Sequence, residues 1–190
     1  MAKTWPIQTN FTAGQLSPRL HGRVDINKYN NGLKLQKNAY SLPHGGVVRR
    51  GGFHYVAGVQ TNSKKVRLVR FEFSVTQAYI LEFGDLYVRF YKDNGQIESG
   101  GSPVQVTTPF TEAQLFDLYF AQSADTLYIA HSSHAPRKLT RSSHTSWTLS
   151  TLTFSSAPSN FAGGAGDYPR CVTFFEERLY WAGTDNNPQT

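Results

Sequence analysis

The sequence contains a single cysteine, Cys171, and a single methionine among its 190 residues. One thiol excludes an intramolecular disulfide, so packing and sheet hydrogen bonds must hold the fold, as in proteins assembled in a reducing cytosol. No stretch approaches the roughly 20 apolar residues of a membrane span. The opening MAKTWPIQTN also lacks the apolar centre of a secretion signal. We therefore expect no membrane contact.

Aromatic residues are abundant: 13 Phe, 10 Tyr and 3 Trp make up 14% of the chain, together with 16 Gly and 9 Pro. Aromatic enrichment with frequent turn residues favours strands over helices. A chain of this length can also bury a sizeable core. The composition predicts a mainly β fold of antiparallel sheets with one or two short helices.

Positive charge is concentrated early in the chain, within an overall net charge of +6 and a pI of about 9.5. A smaller group is Arg137, Lys138 and Arg141. Such a balance is consistent with a solvated basic face and equally with contact to an acidic surface or nucleic acid. The early basic residues are Arg19, Arg23, Lys28, Lys34, Lys37, Arg49, Arg50, Lys64, Lys65, Arg67 and Arg70.

The segment 11–58 organises the N-terminal part of the chain. Gly14, Pro18 and Gly22 interrupt regular structure and predict an extended, turn-rich arm over residues 11–23. Residues 25–31 can form about two helical turns that begin at Asp25 as N-cap and end at Gly32. The pattern after them predicts a hairpin of residues 38–42 and 47–50, and then an apolar strand over 53–56.

The segment carries a set of turn-forming, apolar and basic residues: Gly14, Leu16, Ser17, Pro18, Arg23, Tyr29, Gly32, Asn38, Pro43, Gly45, Gly46, Val47, Arg49 and Arg50. In these residues it resembles the N-terminal signature of phage tail proteins of the nozzle or tail-tubular B type. Gly51 departs from the family pattern, which usually has proline there. The resemblance implies a virion component that forms a ring around a DNA channel and docks to neighbouring tail proteins.

Three later segments share one pattern: a hydrophobic strand, a short polar turn, and a second strand that carries tyrosine. They occupy residues 70–81, 117–130 and 172–182. A repeat of about 40 to 60 residues is typical of β-propeller blades. A plain antiparallel meander or sandwich is the alternative. Because the third copy has only two strands, we expect the chain to be a fragment of a longer protein.

Other turn and helix signals complete the layout. Asp93-Asn94-Gly95 predicts a hairpin turn, and Thr111 with Gln114 predicts a capped helix over 111–118. A glycine-rich crossing is predicted over 161–167. The expected organisation is an arm, short helix and hairpin over 1–58, blades over 59–162, and an incomplete blade over 163–190.

Several polar groups invite a catalytic or metal interpretation that their spacing does not favour. His131, His134, His144 and Cys171 lack the spacing of a zinc site, and we expect exposed loop histidines and a buried structural thiol. No G-x-S-x-G elbow or phosphate-binding loop is present in the sequence. We therefore expect no catalytic residue, no metal and no cofactor.

The sequence as a whole predicts a non-enzymatic nozzle-type tail protein in a virion assembled in the host cytoplasm. Expected partners are further copies in a homo-oligomeric ring, adjacent tail or adaptor proteins and, non-specifically, DNA. A carbohydrate- or ligand-binding β-propeller module is the alternative, and a β-rich enzyme is a third hypothesis. The residues expected at an interface or polyanion contact are Arg19, Arg23, Lys28, Arg49 and Arg50.

Overall fold

The computed structural model describes residues 7–156, 161 and 164–188. The chain divides into two compact units, Met1–Tyr55 and Val56–Thr190. Both are built from antiparallel strands, apart from one short parallel pair, so the predicted mainly β fold is confirmed. Within the described residues, no helix has the length and apolar character needed to cross a membrane.

The first unit consists of two small strand pairs. One is parallel, and the other is the hairpin predicted from the sequence. Its turn is closed by the Leu42 amide, which donates to the Gly46 carbonyl at 2.8 Å. Gly45 has φ +105° there, in a region that favours glycine. The strands are β1 (Gly14–Gln15), β2 (Gly32–Leu33), β3 (Ala39–Ser41) and β4 (Val47–Arg49).

Two predictions for this unit are wrong. The helix expected over 25–31 is a single 3-10 turn, Tyr29–Asn31, since a short asparagine-rich segment without buried contacts does not repay helix nucleation. Asp25 does not cap it, because its carboxylate pairs with Arg23. The strand expected over 53–56 is irregular, and Phe53 is 89% exposed. Alternating apolar residues there have no neighbouring strand to pair with.

The second unit begins with a five-stranded sheet. Its strand order is β11 (Gln105–Thr107), β7 (Tyr87–Lys92), β6 (Gln77–Gly84) and β5 (Arg67–Ser74), with β8 (Gly95–Gln96) paired to β7. Its predicted Asp93-Asn94 turn is confirmed, with φ of +51° and +62° at the two residues. A register shift between Glu72 and Ser74 marks an irregularity in the first hairpin. A separate pair consists of β9 (Glu98–Ser99) and β10 (Ser102–Pro103).

A four-stranded meander and a final hairpin follow. The helix predicted over 111–118 is a 3-10 turn, Glu112–Gln114, in which Gln114 Oε1 accepts a hydrogen bond from the Thr111 amide at 3.1 Å. All three repeated segments form antiparallel hairpins, as predicted. The strands are β12 (Tyr119–Ser123), β13 (Thr126–His131), β14 (His134–Arg141), β15 (Trp147–Thr151), β16 (Cys171–Phe175) and β17 (Arg178–Ala182). The glycine-rich crossing lies partly outside the described residues.

The core lies between the five-stranded sheet and the meander. Trp147, at the start of β15, is 7% exposed and stacks on Phe90 with ring centroids 4.2 Å apart. Its indole also meets the Phe71 ring at 5.1 Å and the Tyr79 ring at 5.4 Å, both edge to face. Aromatic pairs in these geometries add to the stability that burial alone provides. One indole therefore joins the last strand of the meander to three strands of the five-stranded sheet.

Polar contacts also connect the sheets of the second unit. The Gln122 side chain accepts from the Glu72 amide at 3.0 Å and donates to the Glu72 carbonyl at 2.7 Å, so it pairs with the edge of β5 as a strand would. On the far side of the meander, Tyr128 contacts Phe174 and Trp181 of the final hairpin. The five-stranded sheet, the meander and the final hairpin therefore pack in chain order.

Replacement of Trp147 by alanine tests this description of the core. The variant loses three aromatic contacts and leaves a cavity, so we expect the free energy of unfolding to fall by about 3–5 kcal/mol. Phe116→Ala is the matched control, because Phe116 is 61% exposed. Urea unfolding of both variants measures the difference, and equal losses would contradict the placement of the core.

Candidate interface on the N-terminal unit

All of the chain's net positive charge lies in the first unit. Residues 1–55 contain eight lysines and arginines but only one acidic residue, Asp25, for a net charge of +7. Residues 56–190 contain eleven basic and twelve acidic residues, for a net charge of −1. A field of one sign over so small a unit favours association with acidic surfaces or polyanions.

All five basic residues predicted at an interface lie in this unit and are exposed. Arg19 belongs to a 3-10 turn, Pro18–Leu20, while Arg23 and Lys28 lie in the turns that follow it. Arg49 ends β4, and Arg50 comes directly after it. The structure therefore brings the five residues into one unit, in two groups along the chain.

Arg23 is the only one of the five with an ion pair among the described residues. Its guanidinium lies 2.6 Å from the Asp25 carboxylate, and more than half of each side chain is exposed. This contact lowers the pKa of Asp25 below its usual range. Because water screens such a pair, it contributes little to stability. Arg19, Lys28, Arg49 and Arg50 therefore retain charge that no carboxylate in the described residues neutralises.

Arg50 and Arg49 differ in what they contact. Arg50 closes the base of the hairpin: its amide donates to the Asn38 carbonyl at 2.8 Å and its Nε to Asn38 Oδ1 at 3.3 Å. The Arg50 guanidinium lies 4.4 Å from the centre of the Phe53 ring. Arg49 is in strand register with Ala39. Arg50 thus stabilises the hairpin, whereas Arg49 presents an exposed cation on its second strand.

The first unit buries almost nothing. Among its described residues, 7–55, only Gly45 is buried. Val47 and Val48 are consecutive in β4 and 40% and 38% exposed, so both faces of the hairpin are open, since successive strand residues point to opposite faces. Tyr40 lies opposite Val48 across the hairpin, and adjacent exposed apolar side chains are a feature of interaction surfaces. The exposed large apolar residues are Ile7, Val24, Leu35, Tyr40, Val47, Val48, Phe53 and Tyr55.

Backbone hydrogen bonds give this unit its shape in place of a core. The Phe11 amide donates to the Gly45 carbonyl, and the Leu16 amide to the Leu33 carbonyl, each at 2.9 Å. The arm is therefore tied to the hairpin and to β2. Gly32 permits this approach, because a Cβ there would lie 2.4 Å from Leu16 Cγ. A unit held mainly by exposed hydrogen bonds is of low local stability.

His131 and His134 are not the exposed loop residues expected from the sequence, whereas His144 lies exposed in the loop before β15 as expected. His131 ends β13, is 6% exposed, and its Nδ1 accepts from the Ser133 amide at 3.0 Å. His134 begins β14 opposite it, with Nε2 2.9 Å from Gln114 Oε1. Burial lowers the pKa of both rings. The sequence signal for this placement is the strand pattern over Thr126–His131. A tight turn after that strand puts His134 opposite His131 on the neighbouring strand.

The remaining candidates do not form a metal centre. His144 Nδ1 lies 2.5 Å from the Tyr79 hydroxyl, which places this ring in a hydrogen bond across the two sheets. Cys171 is partly buried on β16. Within the described residues, no group of three or more His, Cys, Asp or Glu side chains is arranged to hold a metal ion.

Sequence reasoning missed one buried carboxylate. Glu82 on β6 is 3% exposed and accepts hydrogen bonds from the Tyr87 and Tyr91 hydroxyls, each at 2.5 Å. Burial, reinforced by the bond to Glu82, raises the pKa of Tyr87 to about 12 and raises the pKa of Tyr91 as well. Strand alternation in β7 places the two tyrosines on one face, which is the signal that could have located the cluster.

The lowered pKa values of the two histidines predict acid sensitivity. Because folding favours the neutral rings, their stabilising contribution is present above the unfolded value near 6.5 and declines as pH falls below it. We expect His131→Asn, whose Oδ1 can still accept from Ser133, to reduce the loss of stability between pH 7.5 and pH 5. Urea midpoints at the two pH values measure it, with exposed His54→Asn as control. An unchanged pH slope in His131→Asn would contradict the assignment.

No protein-family model matches the chain, and no curated protein matches it either. Function is therefore inferred from the charge, exposure and contacts of its residues. Two features are available for this purpose: a basic unit whose described residues form no core, and a series of stacked antiparallel sheets.

Proposed function

We propose that this chain is a non-enzymatic structural component of a phage virion. In this proposal it is a nozzle-type tail protein, or part of one, that contributes to a ring around the DNA channel. The observation that carries the proposal is the first unit, which has a net charge of +7 but buries only Gly45 among its described residues. Such a unit can bury its exposed apolar side chains by contact with another molecule.

The energetics of the first unit favour docking. Ordering each residue costs roughly 1–2 kcal/mol of conformational entropy, which burial of apolar surface normally offsets. A two-stranded hairpin with both faces in water is at best marginally stable. Contact of Tyr40, Val47 and Val48 with an adjacent protein would supply the missing burial. Adjacent tail or adaptor proteins and neighbouring copies of the chain are the partners in this proposal.

The second unit supplies the rigid part of the proposed assembly. The five-stranded sheet, the meander and the final hairpin follow one another along the chain, and aromatic side chains pack the first on the second and the second on the third. This succession supports a finer proposal, that the sheets are blades of a partial β-propeller-like arrangement. Blades of this kind could form the wall of a homo-oligomeric ring.

The uneven charge supports a choice of partner. Arg19, Lys28 and Arg49 are exposed and have no ion pair among the described residues, so they can meet carboxylates on a neighbouring protein. DNA that passes through a channel would meet the same charges without sequence preference, and that contact would weaken steeply with salt. We assign the main role to protein docking, because exposed apolar residues accompany the charges. The proposed location is the virion, assembled in the host cytoplasm.

One observation favours a second candidate, a ligand-binding module. A groove of about 650 Å³ lies within the second unit and includes Glu82 and Tyr91 in its lining. Its size is that of a small-molecule site. Trp147 contributes nothing to it, because this side chain is buried in the core.

Charge removal on the hairpin tests the docking role. We expect Arg49→Ala combined with Arg50→Ala to weaken assembly into rings by about tenfold, equivalent to about 1.4 kcal/mol. Sedimentation velocity measures the association, and electron microscopy identifies rings. Arg178→Ala is the matched control, since Arg178 is an exposed arginine of the second unit. Equal effects of the two changes, or a chain that stays monomeric at all concentrations and with all tail partners, would contradict the proposal.

A further inference from the structure

The groove lies on the face of the five-stranded sheet that points away from the core. Along β6, Tyr79, Leu81 and Phe83 are buried in the core, so the alternate residues Ile80 and Glu82 face the opposite side. Val56, Ala57 and Val59 line the groove together with residues of β5, β6 and β7. Its volume of about 650 Å³ falls within the usual range for sites that take small molecules.

A buried negative charge forms part of the lining. The two oxygens of Glu82 each accept one phenolic hydrogen bond, from Tyr87 and from Tyr91. Gln96 Nε2 donates to the Tyr91 hydroxyl at 3.0 Å, so this phenol is held from two sides. No lysine or arginine of the described residues lies within ion-pair distance of the Glu82 carboxylate. A buried carboxylate without a cation is energetically costly.

No neighbouring cation forms an ion pair with the Glu82 carboxylate among the described residues. Lys92 and Asp93 also line the groove, but they pair with each other at 3.2 Å and their charges cancel. Arg89 lies opposite Glu82 in the pairing of β6 and β7. Its guanidinium lies 5.2 Å from the centre of the Tyr87 ring and its Nε donates to Gln105 Oε1, so it forms no ion pair with Glu82. The raised pKa of Tyr87, about 12, keeps this phenol protonated at physiological pH, so that it donates to Glu82.

The walls of the groove are apolar and open to solvent. Leu68 is 64% exposed, and Val56 and Ile80 are each 41% exposed. A ligand that covers these side chains removes apolar surface from water, which contributes roughly 25 cal/mol per Å². The site thus combines an apolar wall with one buried anionic acceptor.

We propose that this groove binds a small organic cation with an apolar body. The ammonium group of the ligand donates to the Glu82 carboxylate beside the Tyr91 ring, and its apolar part covers Leu68 and Ile80. Hydrogen bonds to a charged acceptor are among the strong ones, and an aromatic face adds cation–π attraction. An anionic ligand is excluded by repulsion, and a neutral one leaves the buried charge uncompensated. This inference stands independently of the role in a virion.

Three probes of similar shape and different charge test the proposal on the full chain: phenethylammonium, 2-phenylethanol and 3-phenylpropanoate. We expect phenethylammonium to bind at least about tenfold more tightly than the alcohol, a difference of about 1.4 kcal/mol, and the carboxylate not to bind. Titration followed by ¹H–¹⁵N NMR measures each affinity and locates the shifts at residues 80–82 and 91. Equal affinities, shifts elsewhere, or no binding of phenethylammonium would overturn the proposal.

Two variants identify the residue responsible. Glu82→Gln keeps the shape and removes the charge, so the preference for the ammonium over the alcohol should fall to within about twofold. If that variant does not fold, Leu68→Lys tests whether the ammonium binds in the groove, because it places a competing cation on an exposed wall of the groove. It should weaken phenethylammonium binding at least about tenfold. Val75→Lys, at a fully exposed position between β5 and β6, is the matched control and should change nothing. Equal effects of the two lysine variants would overturn the assignment.

Discussion

Burial of aromatic side chains between the two larger sheets is the interaction on which the second unit depends. Trp147 meets Phe71, Tyr79 and Phe90, so a single side chain couples the start of the meander's last strand to three strands of the other sheet. Each strand must then keep the register that points its apolar residues toward the other sheet. The alternate residues of the same strands point away from the core and differ in composition. The groove beside Glu82 is a consequence of that alternation, because residues not needed for the core point into it.

The first unit is subject to the opposite constraint. Its strands are two or three residues long, and its hydrogen bonds are mostly exposed. Neither charge neutralisation nor apolar burial is completed within its described residues. In the proposed assembly, one kind of partner would meet both deficits: a protein surface that carries carboxylates and apolar side chains. The proposed docking would account for exposure and charge together, whereas a solvated basic face accounts only for the charge.

Much of the second unit could be predicted from the sequence, because its strands are amphipathic and separated by turn residues. The bounds predicted for Thr126–His131, Cys171–Phe175 and Arg178–Ala182 agree with the structure. Predictions failed where no tertiary partner supports the local pattern, as in the helix over 25–31 and the strand over 53–56. Glu82 and His131 were missed for a different reason: their burial depends on which residues lie across the neighbouring strands, and a single strand does not specify this.

Hydrogen exchange of the backbone amides tests the central claim most directly, because it reports the stability of each unit separately. We predict that in the isolated chain the amides of Val47–Arg49 exchange at least about a hundredfold faster than those of Gln77–Gly84, and that ring assembly or a tail partner slows the former selectively. Hairpin amides as protected as those of the five-stranded sheet in the isolated chain would contradict it. They would show that the first unit is stable by itself and needs no docking surface.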